Sequence, residues 1–249
     1  MAVAWFVSDC HLLAQGEDDR RQKLFLGFLR QLGTAKRPAT HLFLLGDIFD
    51  MWVGSSLYFY RIYSCYVDVL AELYARGIHI VYLEGNHDIH VADFWRKRGV
   101  EVSQNDRCWM INGKKVYITH GDFINAAETG YHKYIRFVRS PLAKKIIDFF
   151  PGYFWFYLGR LLSKRSRRSS MQKYLENRQM LPQIFQAYAK ELYQKEKYDF
   201  LISGHIHVWL RTEITPGVWA FNLGSWLDEP GAFCLKESGF YWESLDDSK

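Results

Sequence analysis

The sequence has 249 residues, of which 49% are hydrophobic and 24% are charged, a composition that fits one folded α/β domain or one domain with a large insertion. No stretch reaches the roughly 18 to 20 apolar residues that a membrane-spanning helix needs, which excludes a spanning segment. The net charge is +5, the four cysteines show no CxxC spacing, and the N-terminal residues lack a signal-peptide pattern, so we expect a cytoplasmic protein with reduced thiols.

Short apolar, β-branched runs alternate along the chain with stretches of helical length. Residues 19–32 and 57–76 have the apolar periodicity of helices, and they separate the first runs as βαβ units require. We therefore predict a buried, layered α/β sheet. The predicted strands are residues 3–8, 41–45, 78–83, 115–119 and 199–203.

A polar group follows each of these five strands. Taken singly, such residues have ordinary explanations, since Asp after a strand often caps a helix and Gly-Asp often forms a turn. Ligands of open α/β folds collect at the carboxyl ends of strands, so we expect the five groups to converge on one site. The groups are Asp9-Cys10-His11, Gly46-Asp47, Gly85-Asn86-His87-Asp88, His120-Gly121-Asp122 and Gly204-His205-Ile206-His207.

The residue types in these groups predict metal chemistry. Imidazole favours Mn, Fe, Zn or Ni over Mg or Ca, while carboxylate and amide oxygens keep the site hard enough for Mn. Asp47 follows the central predicted strand and is best placed to be shared between two ions. Two ions about 3.5 to 4 Å apart can hold a bridging hydroxide and clamp a phosphoryl group, which predicts a phosphoester hydrolase.

The motifs DCH, GD, GNHD, HGD and GHIH occur in this order, and the set resembles that of the calcineurin-like metallophosphoesterases. The resemblance implies a four-layered αββα sandwich, an α/β fold, that holds two divalent metal ions, for which we expect manganese. The motif glycines would let the backbone pass close to the ions. The ligands implied for one ion are Asp9, His11, Asp47 and His207. Those implied for the second ion are Asp47, Asn86, His120 and His205.

Within that superfamily the sequence most resembles the UDP-2,3-diacylglucosamine hydrolases of lipid A biosynthesis, and the likeness extends over most of the chain. Members of that family cleave the pyrophosphate of UDP-2,3-diacylglucosamine, usually with manganese, to give UMP and 2,3-diacylglucosamine 1-phosphate. The resemblance implies the same activity here, on a nucleotide-linked lipid substrate. It rests on GDIFDMWVG with Trp52 and Gly54, on Glu128 and Gly130-Tyr131, and on Leu223-Gly224-Ser225-Trp226.

Two positions depart from that family. Its familiar members carry Arg where His87 stands, and their Ser/Asn/Lys pattern in the helical cap is only loosely matched by Ser163-Lys164 and the following RSRRSS. We predict Asn86, His87 and Asp88 as catalytic residues, with Asp88 orienting the His87 ring and His87 acting as charge clamp or general acid. The predicted substrate contacts are Asn86, His87, Glu128, Tyr131, Ser163, Lys164, Arg167 and His205.

Residues 123–197 are helix-like and interrupt the core, which we predict at residues 1–122 and 198–249. Within them, residues 133–173 hold eleven Lys/Arg against one acid, so this segment carries +10 and the rest of the chain −5. One interpretation makes the aromatic residues core and the charges a solvated face. The other makes the segment a helical cap over the metals, whose apolar side chains receive acyl chains and whose basic residues meet phosphates or anionic headgroups.

Nucleic acid is a competing partner, because basic and aromatic residues together suit phosphate backbones and stacked bases. The aromatic residues form one apolar block instead of alternating with the basic ones, so we expect no nucleic-acid partner. We expect the protein to lie peripherally on the cytoplasmic face of the inner membrane, in contact with its anionic lipids. The alternatives are a soluble nucleotide phosphodiesterase, a phosphoprotein phosphatase of the same superfamily, or an inactive metal-binding scaffold.

Overall fold

The protein is described by a computed structural model that covers residues 1–14, 16, 19–161 and 179–245. Its helices are α1 (Asp19–Gln31), α2 (Leu57–Ala75), α3 (Ala92–Arg96), α4 (Thr129–Val138), α5 (Pro141–Phe149), α6 (152–161) and α7 (Leu181–Glu196). Its strands are β1 (Ala4–Val7), β2 (His41–Leu44), β3 (Trp52–Val53), β4 (His79–Leu83), β5 (Asp88–Ile89), β6 (Glu101–Ser103), β7 (Arg107–Ile111), β8 (Lys114–Ile118), β9 (Phe200–Ser203), β10 (Trp209–Thr215), β11 (Val218–Leu223), β12 (Gly231–Lys236) and β13 (Gly239–Ser244).

The strands form two large sheets and one small one. The first sheet has the order β13-β12-β1-β2-β4-β6, in which β1, β2, β4 and β6 are parallel. The second has the order β10-β11-β9-β8-β7, with a parallel centre of β11, β9 and β8. Strands β3 and β5 pair separately. The parallel centres place the carboxyl ends of β1, β2 and β4 at one edge of the first sheet, and those of β8 and β9 at one edge of the second.

Alternation along the strands produces the four layers. In β1, Phe6 faces the apolar layer between the two sheets and Trp5 faces the layer beneath the helices. Successive strand residues point to opposite faces, so a strand buried on both faces is apolar throughout. Helices α1 and α2 cover the first sheet, and α7 covers the second through Phe185 and Ala189. The predicted four-layered sandwich is confirmed.

The five predicted strands are confirmed as β1, β2, β4, β8 and β9, each within one residue of its predicted bounds at both ends. The two predicted helices are confirmed as α1 and α2 with the same accuracy. The division into a core and a cap at residues 123–197 stays a prediction. Within that segment, α7 packs on the second sheet, whereas α5 and α6 contribute Ile147 and Phe156 to the cluster beneath α1 and α2.

The aromatic residues between positions 149 and 157 fit both interpretations given above, since some are packed in the core and others are exposed. Phe156 is 7% exposed and packs against Tyr58 and Phe59, so it belongs to the core. Phe149 and Tyr157 are 82% and 65% exposed. The block is therefore anchored on one side and leaves apolar rings at the surface on the other. Within the described ranges, no helix is long and apolar enough to cross a membrane.

Candidate metal centre

The five predicted polar groups lie together, at the carboxyl ends of strands from both large sheets. The loops after β1, β2 and β4 bring residues 9–11, 46–47 and 85–88 from the first sheet. The loops after β8 and β9 bring residues 120–122 and 204–207 from the second. The predicted convergence of the five groups on one place is therefore seen in the structure, at the edge where both sheets end.

The first set of metal-donor side chains consists of Asp9, His11 and His207. His207 Nε2 lies 3.1 Å from Asp9 Oδ1 and 3.2 Å from His11 Nε2. Asp9 Oδ2 accepts hydrogen bonds from Ser8 Oγ and the His205 N–H, whereas Oδ1 is buried without a hydrogen bond of good geometry. Two imidazole nitrogens and an oxygen that face one another in this way fit a divalent transition-metal ion.

The second set of donors consists of Asn86, His120 and His205. His205 Nδ1 lies 3.1 Å from Asn86 Oδ1 and 3.3 Å from His120 Nε2. His120 Nδ1 donates to the Leu45 carbonyl at 2.8 Å, which leaves Nε2 as the ring nitrogen that faces the other donors. Such an outer hydrogen bond is the usual way in which a metal-binding histidine is oriented, so this set also fits a divalent cation.

Asp47 lies between the two sets. Its Oδ2 is 3.9 Å from His11 Nε2, and its Oδ1 is 3.7 Å from His120 Nε2. The carboxylate is fixed by the His87 N–H, which donates to Oδ1 at 2.8 Å, and its side chain is 2% exposed. One oxygen therefore faces each set, which is the arrangement that a carboxylate shared by two ions requires. The assignment of all seven side chains as metal ligands stays a prediction.

Burial and charge together set the protonation of this centre. Burial is the largest influence on Asp47 and raises its pKa, but the surrounding histidines, His120 first, lower the pKa well below its ordinary value. Burial lowers the pKa of His11 to about 3, so its ring keeps a lone pair. Burial also lowers the pKa of His120, but nearby carboxylates, Asp47 first, raise it to about 9. The carboxylates of the centre are thus ionised, and a cation bound at His120 Nε2 would displace a proton from that ring.

The backbone at the predicted ligands lies in the left-handed region, which residues other than glycine rarely adopt. Each such residue costs on the order of 1–3 kcal/mol and persists only where the surrounding structure enforces it. Five of the seven predicted ligands share this conformation, which ties the strain to the site. The φ angles are 50° at Asp9, 44° at His11, 53° at Asp47, 71° at His205 and 54° at His207.

Two motif glycines leave room for the carboxylates themselves. A Cβ on Gly85 would lie 2.1 Å from Asp47 Oδ1. A Cβ on Gly204 would lie 1.8 Å from Ser8 Oγ and 2.2 Å from Asp9 Oδ2. We expected these glycines to bring the backbone close to the metal ions. The structure shows that they bring it close to Asp47 and Asp9, the side chains predicted to bind the ions.

His87 lies beside the first set. Its ring centroid is 4.9 Å from that of His11, and its Nδ1 donates to the Asp50 carbonyl at 2.7 Å, which leaves Nε2 free. Burial is the largest influence and lowers the pKa of His87, but the Asp47 charge and the Asp50 carbonyl raise it overall. A carboxylate oxygen of Asp50 lies within 4.8 Å of ring nitrogens of both histidines. Asp50 stands three residues after Asp47 in GDIFD but is not among the residues predicted from the sequence.

The predicted role of Asp88 as the residue that orients His87 is wrong. Both Asp88 oxygens are occupied elsewhere, and the side chain is fully buried. It joins the loops after β2 and β4, and thereby fixes the backbone N–H groups of Asp47 and Ile48. Oδ1 accepts from the N–H groups of Asp47 at 3.0 Å and Gly85 at 2.7 Å, and Oδ2 accepts from the Ile48 N–H at 2.7 Å and the Tyr82 hydroxyl at 2.5 Å.

Of the predicted substrate contacts outside the motifs, the structure describes Glu128 and Tyr131 but not the three residues in 163–167. Glu128 precedes α4, and its carboxylate accepts a hydrogen bond from Asn125. Tyr131 lies at the centre, where its hydroxyl donates to Asp122 Oδ1 at 2.6 Å and its ring centroid is 5.2 Å from that of His205. Tyr131 therefore packs directly on one predicted ligand, His205. Ser163, Lys164 and Arg167 lie outside the described residues.

The position of Asp47 generates a prediction about metal content. Asp47→Ala should reduce the bound divalent metal from two ions per chain to one or none, because each donor set loses an oxygen. Elemental analysis of the purified protein, after removal of loosely bound ions, measures this. Asp68→Ala on the exposed face of α2 is the control and should retain the wild-type content. Two tightly bound ions in Asp47→Ala would refute the shared role.

Comparisons with known proteins agree with this geometry. The chain is 30% identical over 207 residues to the UDP-2,3-diacylglucosamine hydrolase of Ectopseudomonas mendocina, covering 81% of this chain and 79% of that one. It is 26% identical over 245 residues to the enzyme of the same name from Pseudomonas fluorescens, covering 96% and 94%. Vacuolar protein sorting 29 from Cryptosporidium parvum shares the fold with a TM-score of 0.51 at 14% identity, covering 100% of this chain and 93% of that one.

The strand-end motifs, the two-sheet architecture and these relatives all lead to the same family. Its profile, the calcineurin-like phosphoesterase, matches residues 3–209, a span that begins just before β1 and ends beyond the GHIH motif. The match therefore includes every predicted metal ligand. This protein belongs to the calcineurin-like phosphoesterase family and is a hydrolase.

Proposed function

We propose that this hydrolase cleaves the pyrophosphate of UDP-2,3-diacylglucosamine to UMP and 2,3-diacylglucosamine 1-phosphate, using two divalent metal ions, with manganese the first choice. The observation that carries the proposal is the position of Asp47, whose two oxygens face separate donor sets at 3.9 and 3.7 Å. The substrate is inferred from relatives of that name, which the chain matches over up to 96% of its length.

Two bound ions would supply a nucleophilic hydroxide near neutral pH and neutralise charge on the phosphoryl oxygens. The protein's own contribution is to hold the donors in place. Asp88 and the His87 N–H fix Asp47, and the Leu45 carbonyl fixes the His120 ring. Because these partners are buried, little reorganisation is needed when charge develops on the phosphorus substituents.

His87 is the residue that would act on the substrate directly. Its Nδ1 is occupied by the Asp50 carbonyl, so Nε2 is the atom available to donate a hydrogen bond or a proton. A sugar phosphate is a good leaving group that needs little protonation, so a fixed positive charge at this position would suffice for the proposed substrate. This explains how family members can carry Arg at the same position.

His87 also favours a second candidate function, a soluble nucleotide phosphodiesterase or phosphoprotein phosphatase. The leaving group of a phosphomonoester of Ser or Thr is a poor alkoxide, which needs a proton donor. Histidine can donate a proton near neutral pH, whereas Arg stays protonated and cannot. The choice between the two functions therefore depends on which leaving group His87 serves.

We also propose that the protein binds the membrane surface peripherally, on the cytoplasmic face of the inner membrane, through an apolar patch on α5 and α6. Basic residues on α4 to α6, including Lys145 and Arg160, provide positive charge in the same segment. An exposed apolar surface with basic neighbours suits an anionic bilayer surface. The patch consists of Leu142 at 60% exposure, Ile146 at 41%, Phe149 at 82%, Tyr153 at 55%, Tyr157 at 65% and Leu161 at 70%.

Substrate preference tests the proposed activity. With Mn²⁺ present, the diacylated UDP-sugar should be turned over with a higher kcat/KM than its deacylated form or simple nucleotide esters, and UMP should be released. The reason is that the exposed apolar side chains of α5 and α6 can add binding free energy only for a substrate that carries acyl chains. A higher kcat/KM for the deacylated sugar, a nucleotide diester or a phosphopeptide would overturn the lipid assignment.

Substitution of His87 separates a charge clamp from a proton donor. His87→Arg should keep substantial activity on the UDP-lipid, whereas His87→Ala should lose about 10²- to 10⁴-fold in kcat. Metal content, measured in parallel, should be unchanged in both variants. If His87→Arg is as inactive as His87→Ala with its metals retained, the proposed tolerance for Arg is wrong.

Surface substitutions test the membrane proposal. The triple variant Phe149→Ser, Tyr153→Ser, Tyr157→Ser should reduce co-sedimentation with vesicles of phosphatidylglycerol and phosphatidylethanolamine, while its thermal stability stays near wild type because these rings are exposed. Met110→Ser, at an exposed apolar residue on β7, is the matched control and should bind vesicles normally. Unchanged vesicle binding by the triple variant would contradict the proposal.

A further inference from the structure

The second donor set depends on the relative position of the two sheets. Asp47 and Asn86 follow strands β2 and β4 of the first sheet, whereas His120 and His205 follow β8 and β9 of the second. The donor atoms lie 3.1 to 3.7 Å apart across this junction. A small shift between the loops of the two sheets would therefore change the size of the cation site.

Arg139, at the end of α4, connects the two groups of loops. The Nη2 atom of its guanidinium donates to the carbonyl oxygens of Glu84 at 3.0 Å and Gly85 at 3.4 Å, in the loop that leads to Asn86. The same nitrogen donates to Asp122 Oδ2 at 2.7 Å, in the loop after β8. The Arg139 side chain is 15% exposed and that of Asp122 is 3% exposed. One largely buried guanidinium thus bonds to loops of both sheets.

The connection continues from Asp122 to the predicted metal ligand His205. Asp122 Oδ1 lies 3.9 Å from His205 Nδ1 and accepts the Tyr131 hydroxyl at 2.6 Å. The Tyr131 ring packs beside the His205 ring, with centroids 5.2 Å apart. Tyr131 and Arg139 stand at the two ends of α4, so this helix contacts the second donor set directly through Tyr131 and is linked to it at the other end through Asp122 and the loop before Asn86.

The end of α4 is also fixed to the loop after β4 by a second residue. His90 Nε2 donates to the Val138 carbonyl at 2.8 Å. The His90 N–H donates to the buried carboxylate of Glu84 at 2.8 Å, and Gln104 donates to the same carboxylate at 2.8 Å. The loop that Arg139 contacts is therefore held in place at Glu84, two residues before Asn86. A change in the position of Arg139 should consequently change the position of Asn86.

We propose that Arg139, through Asp122, is a positioning residue that sets the spacing between the two sheets at the second metal site, and so controls the affinity of that site for its cation. The inference rests on the proposed two-ion function. Residues that orient metal ligands from outside the coordination shell typically change metal affinity by about 10- to 100-fold when they are replaced. The first donor set has no contact with Arg139 among the described hydrogen bonds, so its cation should be unaffected.

Calorimetric titration of the metal-free full chain with Mn²⁺ tests this. Wild type should bind two ions, and Arg139→Leu should bind one ion about 10- to 100-fold more weakly while the affinity for the other stays within about twofold. Arg139→Lys, which keeps the charge on a side chain one atom shorter, should lie between them. Arg136→Leu is the matched control, because Arg136 lies on the same helix and its guanidinium packs on the Phe123 ring.

Asp122→Asn provides an independent variant that keeps the side-chain size and removes the charge. It should weaken the same ion as Arg139→Leu, and the double variant should lose less than the two single losses multiplied, because both remove one connection. If Arg139→Leu does not fold, Asp122→Asn and Arg139→Lys decide the outcome. Thermal melting of each metal-free variant establishes which of them are folded.

The outcomes separate the positioning role from the two-ion function. If wild type binds one ion or none, the two-ion function fails. If wild type binds two ions and the folded Arg139 and Asp122 variants bind both with wild-type affinity, the positioning role is overturned. Equal weakening of both ions would overturn it too, because a specific connection to the second set predicts selective loss. Selective loss in Arg136→Leu would likewise assign the effect to the helix instead of to Arg139.

Discussion

The centre depends on one constraint: the Asp47 carboxylate must stay buried and ionised between two sets of histidines. Burial alone would raise its pKa, and the surrounding imidazoles and the His87 N–H oppose that effect. Because a buried charge is unfavourable unless it is paired, the arrangement is stable only if the partners cannot move away. The rest of the fold supplies this rigidity. The loops after β2 and β4 are joined by Asp88, which accepts four hydrogen bonds, and the strands behind them are buried on both faces.

Rigidity also explains the conformation of the ligands. Five left-handed residues in one site represent local strain on the order of several kcal/mol, which isolated loops would relieve by changing conformation. Here each loop is anchored by a strand in the sandwich, where Phe6 stacks on Phe43 between the sheets with centroids 4.6 Å apart. The close-packed interior opposes any relaxation that would require a strand to shift. The strain is thus maintained by the global packing, and its effect is to turn the ligand side chains toward one another.

The strands and helices near the motifs could be predicted because their apolar patterns are unambiguous, as in β1 and β2. The antiparallel edge strands β10 and β13 could not, since their residues are only partly buried and polar ones, such as Arg211 and Glu213 in β10, make the pattern irregular. The convergence of the motif residues followed from their common position after strands. Their contacts did not, as Asp88 demonstrates: its neighbour in the sequence is His87, but its hydrogen-bond partners come from Tyr82 and from three backbone N–H groups. Arg139 was equally invisible, because a bond across 17 residues to Asp122 leaves no periodic signal.

Reaction type and substrate choice reside in different parts of this chain. The donor sets belong to strand ends of the sandwich, where the family match lies and where sequence and structure agree. The features that would recognise a lipid belong to α4 to α6, which combine a core face containing Phe156 with an exposed apolar face containing Phe149. Tyr131 and Arg139 of α4 both bond to Asp122, and the Tyr131 ring packs beside His205 of the second donor set, so the two parts are in contact. A helix that contacts both the proposed lipid-binding segment and a predicted metal ligand could transmit a change in one to the other. If the proposed substrate binds at α4 to α6, substitutions there should also be examined for effects on metal affinity at the second donor set.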